Sequence, residues 1–171
     1  MQFFRGIFAQ GPDINEQNMI NDLLPPEAQQ AFYSMTLADQ RHSLNVLKSA
    51  LLMVQDEKQD DNICLLKRCC LLHDIGRGPH MGSFKKALAV LLDKYFHSWA
   101  QKKGQVSGEA FYQDILYRYY NHPQISSEML RAMGLQQEAN IVLRHHTGDI
   151  SRLSDMESTV LDLLMKADEI N

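Results

Sequence analysis

The sequence predicts an all-α, single-domain protein, and three observations support this fold class. Apolar residues recur at spacings of three and four along most of the chain, as at Leu44, Leu47 and Leu51, which is the periodicity of an amphipathic helix. No stretch of useful length alternates between apolar and polar residues as a half-buried strand does. The chain has 171 residues, a length typical of one domain that buries its own core. We therefore expect a helical bundle.

The composition is that of an ordinary globular protein, with 44% apolar and 22% charged residues. The net charge of −4 gives no general basic surface for nucleic acid or anionic lipid, so any phosphate recognition must be local. No segment has the roughly 18 apolar residues of a membrane span, and the N-terminus lacks the pattern of a signal peptide. We expect a cytoplasmic protein whose three cysteines, Cys64, Cys69 and Cys70, are reduced core residues.

The chain divides into an N-terminal part, residues 1–36, and the main domain, residues 37–171. The N-terminal part is expected to be an arm followed by a short helix that begins at Pro25-Pro26. A firmly helical pattern runs from about Thr36 to Gln55 and contains His42. Asp60-Asp61-Asn62 then separates it from a largely buried helix, Ile63 to His73.

Five further helices are expected after the His73-Asp74 pair. Ser83 can cap the first, and a surface loop at Gln101–Gly108 interrupts it. Its apolar stripe comprises Phe84, Leu88, Leu91, Leu92 and Tyr95. The second runs from Glu109 to Tyr120 and stops before Pro123, because a residue preceding proline disfavours helical geometry. The next helices continue to Gly134 and to the His145-His146 pair, and the last, capped by Ser154, runs from Met156 to Ile170.

A histidine and an aspartate, His73 and Asp74, directly follow the buried helix. Neighbouring residues on a helix point about 100° apart, so these two side chains can converge on one ion only at a helix end. Gly76, Gly78 and Pro79 supply such an end. Taken alone, the pair could equally be the polar end of a helix.

Other polar groups lie on apolar faces or at helix ends. Asp168 shares a face with Leu161 and Leu164, and an unpaired buried carboxylate is costly, so it should be paired, bound to metal or directed to solvent. His42, His122, His145 and His146 each have a bland explanation as a core or capping residue. Together with His73 and Asp74 they form a set of imidazoles and carboxylates suited to Zn²⁺, Fe²⁺ or Mn²⁺. The remaining histidines, His80 and His97, are expected to have structural or solvent-facing roles.

With these residues in order, the sequence resembles the HD domain family of metal-dependent phosphohydrolases, which uses a histidine, a His-Asp doublet and a distant aspartate. His42, His73-Asp74 and Asp168 match that order. His122-Pro123 and the His145-His146 pair before Thr147-Gly148 resemble members with two metals, and one branch of these favours His146 over His145 as the ligand. The resemblance begins at about residue 37.

The resemblance implies one or two divalent ions, Fe, Mn, Co, Ni or Zn, with Mg also compatible. Residues His42, His73, Asp74 and Asp168 would hold one ion; His122, His146 and His145 would hold the second, with Asp74 bridging both. Asp74 and Arg77 would be the catalytic residues, and Arg77, Arg41 and Lys166 would bind phosphate.

The implied activity is hydrolysis of a phosphoester or phosphoanhydride in a small phosphorylated substrate, expected to be a nucleotide. A homo-oligomer is compatible with the sequence. One alternative is a non-catalytic signalling or nucleotide-binding module on the same scaffold, and another is a metal-dependent oxygenase. Stoichiometric metal in the purified protein would argue against a pure scaffold, and oxygen consumption would reveal the oxygenase.

Overall fold

A computed structural model describes residues 10–54, 60–79, 81–108 and 110–171. Within these ranges the chain forms helices and turns and contains no strand, which confirms the predicted all-α class. The helices are α1 (Ile14–Leu23), α2 (Pro26–Ser34), α3 (Leu37–Met53), α4 (Asp60–Leu72), α5 (Ser83–Lys103), α6 (Phe111–Ala132), α7 (Gln136–Val142) and α8 (Asp155–Glu169). A short 3-10 turn, Ile75–Arg77, follows α4.

The main hydrophobic core lies between α3, α4, α7 and α8, with α2 closing one side. Leu44 of α3, Leu66 of α4 and Leu161 of α8 are almost completely buried in it. The apolar spacing that the sequence shows on these helices therefore corresponds to real core faces. Cys69 and Cys70 are buried without a disulfide, as expected, while Cys64 is only half-buried.

The N-terminal part contributes to this same core. Asp13 caps α1 through a reciprocal capping box with Glu16, and Pro26 occupies the first turn of α2 as predicted. Ile20 and Phe32, both fully buried, belong to the main cluster. The predicted arm is thus a regular helix from Ile14 onward, and residues 1–9 lie outside the described part of the chain.

Two predicted helix starts are wrong in detail. The α4 helix begins at Asp60, so the polar Asp60-Asp61-Asn62 run forms its first turn instead of a separating loop. Aspartate and asparagine are among the residue types favoured at helix starts, so a polar run of this kind can begin a helix as well as separate two helices. The N-cap of α5 is Gly82, one residue before the predicted cap at Ser83.

The predicted apolar stripe of α5 does not face a core along its whole length. Phe84, Leu91 and Tyr95 are exposed, whereas Leu88 packs against a small second cluster around Met81 and Ile115. Periodicity identifies a helix but cannot reveal which face a neighbouring helix covers. The helix also continues to Lys103 and ends at Gly104, inside the predicted loop.

The predicted break at Pro123 is also wrong, because α6 runs without interruption from Phe111 to Ala132. Proline disfavours the helix interior by removing one N–H donor and crowding the preceding turn. Packing against α5, α7 and the 3-10 turn offsets this local cost. The continuity places His122 in the interior of a long helix.

The predicted final helix agrees with α8, which Ser154 caps in a second capping box with Glu157. Among the helices in the described ranges, none is long and apolar enough to cross a membrane.

Candidate metal centre

His73 and Asp74 lie directly after the last residue of α4, where the chain leaves the helix for the 3-10 turn. Both side chains are completely buried. Ser126 of α6 holds this segment: its hydroxyl donates to the His73 carbonyl at 2.9 Å and accepts from the Gly76 N–H at 2.9 Å. The helix end required for the two neighbouring side chains to converge is therefore present.

The first ligand group joins α3, the end of α4 and α8. Nε2 of His42 lies 2.9 Å from Oδ1 of Asp168 and 3.8 Å from Oδ2 of Asp74. Nε2 of His73 lies 3.4 Å from Oδ2 of Asp74 and 3.7 Å from Oδ1 of Asp168. Four potential ligand atoms from three segments thus meet around one point.

The second group joins α6 to the turn that follows α7. The ligand atoms of His122, His145 and His146 all lie within 4.8 Å of one another, and Nε2 of His122 is 2.9 Å from Nε2 of His146. Oδ1 of Asp74 lies 3.4 Å from Nε2 of His122. The two carboxylate oxygens of Asp74 therefore face different histidine groups, and both members of the His145-His146 pair reach the centre.

Backbone carbonyls orient three of the imidazoles in the same way. Nδ1 of His73 lies 3.0 Å from the carbonyl oxygen of Cys70, and Nδ1 of His145 lies 2.6 Å from that of Val142. Nδ1 of His122 lies 2.9 Å from the carbonyl oxygen of Tyr119. A carbonyl only accepts, so each Nδ1 must carry the proton. In the neutral imidazole each Nε2 then presents its lone pair to the centre, which is the arrangement of metal-ligating histidines.

The residues present fit divalent transition ions. Within the described part of the chain, Nε2 of His73, Nε2 of His145 and Oδ1 of Asp74 are buried and have no hydrogen-bond partner. Leaving such atoms unsatisfied costs about 1–3 kcal/mol each, whereas an ion would satisfy them together. Imidazole nitrogen combined with carboxylate oxygen suits Fe, Mn, Co, Ni and Zn.

The electrostatics keep most of these groups in the state that binds metal. Burial and the neighbouring His73 and His146 lower the pKa of His145 to about 3. Burial also lowers the pKa of His146 and, together with Arg77, holds that of His122 well below its usual range. Neutral imidazole is the form that ligates.

The carboxylates stay ionised although burial opposes this. The Arg77 guanidinium and His73 hold the pKa of Asp74 well below its ordinary value, and the hydrogen bond from His42 lowers that of Asp168. His73 differs from the other histidines, since burial is outweighed by Asp74 and its pKa is raised. An incoming ion would displace a proton there.

Two cations border the centre. Arg77 donates to Oδ2 of Asp74, and its Nη2 lies 3.5 Å from Nε2 of His122. Lys86, in the first turns of α5, pairs with the fully buried Asp39, whose Oδ1 is also 3.9 Å from Arg77. Burial lowers the pKa of Lys86 to about 8, against the opposing effect of Asp168.

Sequence reasoning missed both Lys86 and Asp39. One signal was available for Asp39, which lies three residues before His42 and therefore on a neighbouring face of α3. Nothing in the sequence reveals Lys86, because its position depends on how α5 packs.

Two other predicted phosphate ligands, Arg41 and Lys166, have partners away from the histidine groups. Arg41 forms a two-pronged ion pair with Glu16 and donates to the carbonyl oxygens of Gln10 and Gly11, so it joins α3 to the N-terminal segment. Lys166 pairs with Asp162 on the exposed side of α8. Neither side chain has a contact with the histidine groups within the described residues.

Of the two histidines expected to lie outside the site, His97 is exposed and bonded to Asp93 at 2.7 Å. His80 lies outside the described residues.

Comparison with known protein families found one match: the family model described as HD domain matches residues 40–170. The matched region begins two residues before His42 and ends two residues after Asp168, so it contains every residue of both ligand groups. A comparison with curated proteins and one with solved structures found no significant match.

Proposed function

This chain belongs to the HD domain family, and from this premise we propose that it is a metal-dependent phosphohydrolase acting on a phosphoester or phosphoanhydride bond. The observation that carries the proposal is the position of Asp74, whose two oxygens face two separate histidine groups. A carboxylate shared in this way is suited to bridge two ions. We infer that the substrate is a small nucleotide and that the protein needs no membrane to bind it.

The protein residues would divide the work between binding and charge stabilisation. His42, His73 and Asp168 would hold one ion, and His122, His145 and His146 the other, with Asp74 between them. Divalent ions bound there lower the pKa of a shared water towards neutrality and neutralise phosphate charge. Because His73 and Asp74 are completely buried, their side of the metal centre would be closed to bulk water.

Arg77 and Lys86 would receive the substrate phosphate. Arg77 uses part of its guanidinium on Asp74, and its remaining N–H donors suit a phosphoryl group in which negative charge develops. Lys86 would add a second cation beside it, with Asp39 fixing the distance between the two. Arg77 thus keeps the role predicted from the sequence, and we propose Lys86 in place of Arg41 and Lys166.

Metal content and turnover together test this function. The protein purified without chelator should contain one to two equivalents of transition metal, and it should hydrolyse at least one member of a panel of nucleoside phosphates, cyclic nucleotides and phosphodiesters. Asp74→Asn, which keeps the shape and removes the charge, should lose metal and activity. Asp162→Asn, on the exposed side of α8, is the matched control.

The same experiment separates the competing interpretation of a non-catalytic module. Such a module would bind a nucleotide without hydrolysing it, even when loaded with each of the candidate ions. Full metal content and activity in Asp74→Asn would refute the proposed centre.

A further inference from the structure

Pro123 lies in the interior of α6, immediately after His122. In an α-helix the N–H of each residue donates to the carbonyl four residues earlier, and proline has no N–H. The carbonyl that loses its normal donor is that of Tyr119. This is the carbonyl to which Nδ1 of His122 donates, at 2.9 Å.

The other two histidines with this hydrogen bond obtain their carbonyls differently. Cys70 lies in the last turn of α4, and Val142 is the last residue of α7. The final four carbonyls of a helix lack the N–H donor from four residues further on, so these acceptors are available because the helices end there, although the N–H of His145 also approaches the Val142 carbonyl at 3.4 Å. His122 has no helix end nearby, since α6 continues to Ala132.

We propose that Pro123 is a positioning residue: by removing one backbone donor from the middle of α6, it reserves the Tyr119 carbonyl for the imidazole of His122. The hydrogen bond then fixes the proton on Nδ1 and directs Nε2 towards Asp74 and His146. The inference rests on the proposed function where it treats His122 as a metal ligand. The hydrogen bond and the tautomer of His122 belong to the metal-free protein as well.

Replacing the proline distinguishes this role from a structural one, because the two roles predict opposite changes in the melting temperature. Pro123→Ala restores the N–H and removes the ring from the helix interior, so the melting temperature of the metal-free protein should stay equal or rise. The N–H of the introduced alanine then competes for the Tyr119 carbonyl, and the affinity of the second group for Mn²⁺ should fall by about tenfold, as for other losses of an outer hydrogen bond. Binding at the His42 group should be unchanged.

A second variant distinguishes the missing donor from the ring. Lactic acid at position 123 introduces a backbone ester, which lacks the N–H as proline does but has no ring. It should retain the Mn²⁺ affinity of the parent protein. Pro26→Ala, in the first turn of α2, controls for the general effect of proline removal.

Long-range nitrogen NMR of the metal-free proteins provides a readout that needs neither metal nor turnover. His122 should carry its proton on Nδ1 in the parent and in the ester variant, and should populate both tautomers in Pro123→Ala. A single Nδ1–H tautomer with parental Mn²⁺ affinity in Pro123→Ala would overturn the inference, as would loss of the tautomer in the ester variant. If the parent bound no Mn²⁺, the proposed function would fail, and the tautomers would still decide the role of Pro123.

Discussion

Nε2 of His42 lies 2.9 Å from Oδ1 of Asp168, so α3 and α8 meet through two candidate ligands that lie near opposite ends of the region matched by the family model. Both side chains are about one-fifth exposed, and the hydrogen bond between them satisfies each in the absence of an ion. Metal binding would break this direct contact, because both side chains would then bind the ion.

We expect Asp168→Ala to lose the ion of the first group while the second group retains its own. The second ion depends on three histidines and Oδ1 of Asp74, which α8 does not supply. Metal analysis of the purified variant should show about one equivalent less than the parent. Asp162→Ala, on the same helix, should match the parent, and unchanged metal content in Asp168→Ala would contradict the assignment.

We expect Arg77→Lys to retain metal but to lower kcat/KM. Lysine keeps the charge but cannot reproduce the planar set of donors that binds a carboxylate and a phosphate together. Removing one donor that stabilises transition-state charge typically costs about 100-fold in rate. Steady-state kinetics on the preferred substrate, with metal content measured in parallel, test this; parental kcat/KM would remove Arg77 from catalysis.

Arg41 should behave in the opposite way. Its guanidinium bonds Glu16 and two backbone carbonyls of the N-terminal segment, so Arg41→Ala should lower the free energy of unfolding by about 1–3 kcal/mol. Activity of the folded protein should stay within about twofold of the parent. Urea unfolding and kinetics separate these effects, and a large loss of activity without loss of stability would restore the role predicted from the sequence.

Gly76 and Gly82 form a matched pair for testing the support of the His-Asp doublet. A Cβ at Gly76 would lie 2.5 Å from the His122 carbonyl oxygen and 2.7 Å from the Ser126 N, whereas at Gly82 nothing lies within 4 Å. Gly76→Ala should therefore destabilise by about 1–3 kcal/mol and weaken metal binding. Gly82→Ala should be neutral or slightly stabilising. Equal stability of the two variants in thermal unfolding would show that the 3-10 turn adjusts freely.

The two candidate ligand groups could be predicted because their residues interrupt an otherwise ordinary helical pattern. His73-Asp74 follows an apolar run, and Asp168 interrupts an apolar face; both features stand out against the helical periodicity. The order of these residues carried the family resemblance, which the match to residues 40–170 confirms.

The features that could not be predicted depend on tertiary packing. A local rule ended a helix at Pro123, but contacts of α6 with its neighbours outweigh the missing hydrogen bond. Similarly, Lys86 of α5 pairs with Asp39 of α3. The two residues are far apart in the sequence, and helical periodicity does not predict which distant residues meet. The resemblance also implies a phosphate-binding role for Arg41, but Arg41 directly precedes His42, and adjacent helix residues point in different directions.

The metal-free protein should lose stability as the pH falls from 7 to 5. His122, His145 and His146 all have a pKa below the ordinary 6.5 in the folded protein. Below pH 6.5 the unfolded chain binds protons at these residues and the folded protein does not, so acid favours unfolding. Each histidine that stays neutral contributes up to about 1.4 kcal/mol per pH unit, and the more exposed His146 contributes less.

The other shifted groups do not produce this loss. The raised pKa of His73 gives a contribution that is complete below pH 6.5 and is lost only as the pH rises above it. Asp74 and Asp168, whose pKa values are lowered, lose their contribution only as the pH falls below about 4, near the ordinary aspartate value. Among the described residues, the window between pH 6.5 and 5 therefore isolates the second histidine group.

Urea unfolding of chelated protein at half-unit pH intervals measures this slope. His145→Asn should reduce it, since one of the protons taken up by the unfolded chain is removed, whereas His97→Asn, at the exposed position on α5, should leave it unchanged. A free energy of unfolding that is constant from pH 7 to 5 would mean that these histidines take up as many protons in the folded protein as in the unfolded chain, so that their pKa values are not lowered. In that case burial would not keep the second group in the neutral form that binds metal once the pH falls below about 6.5.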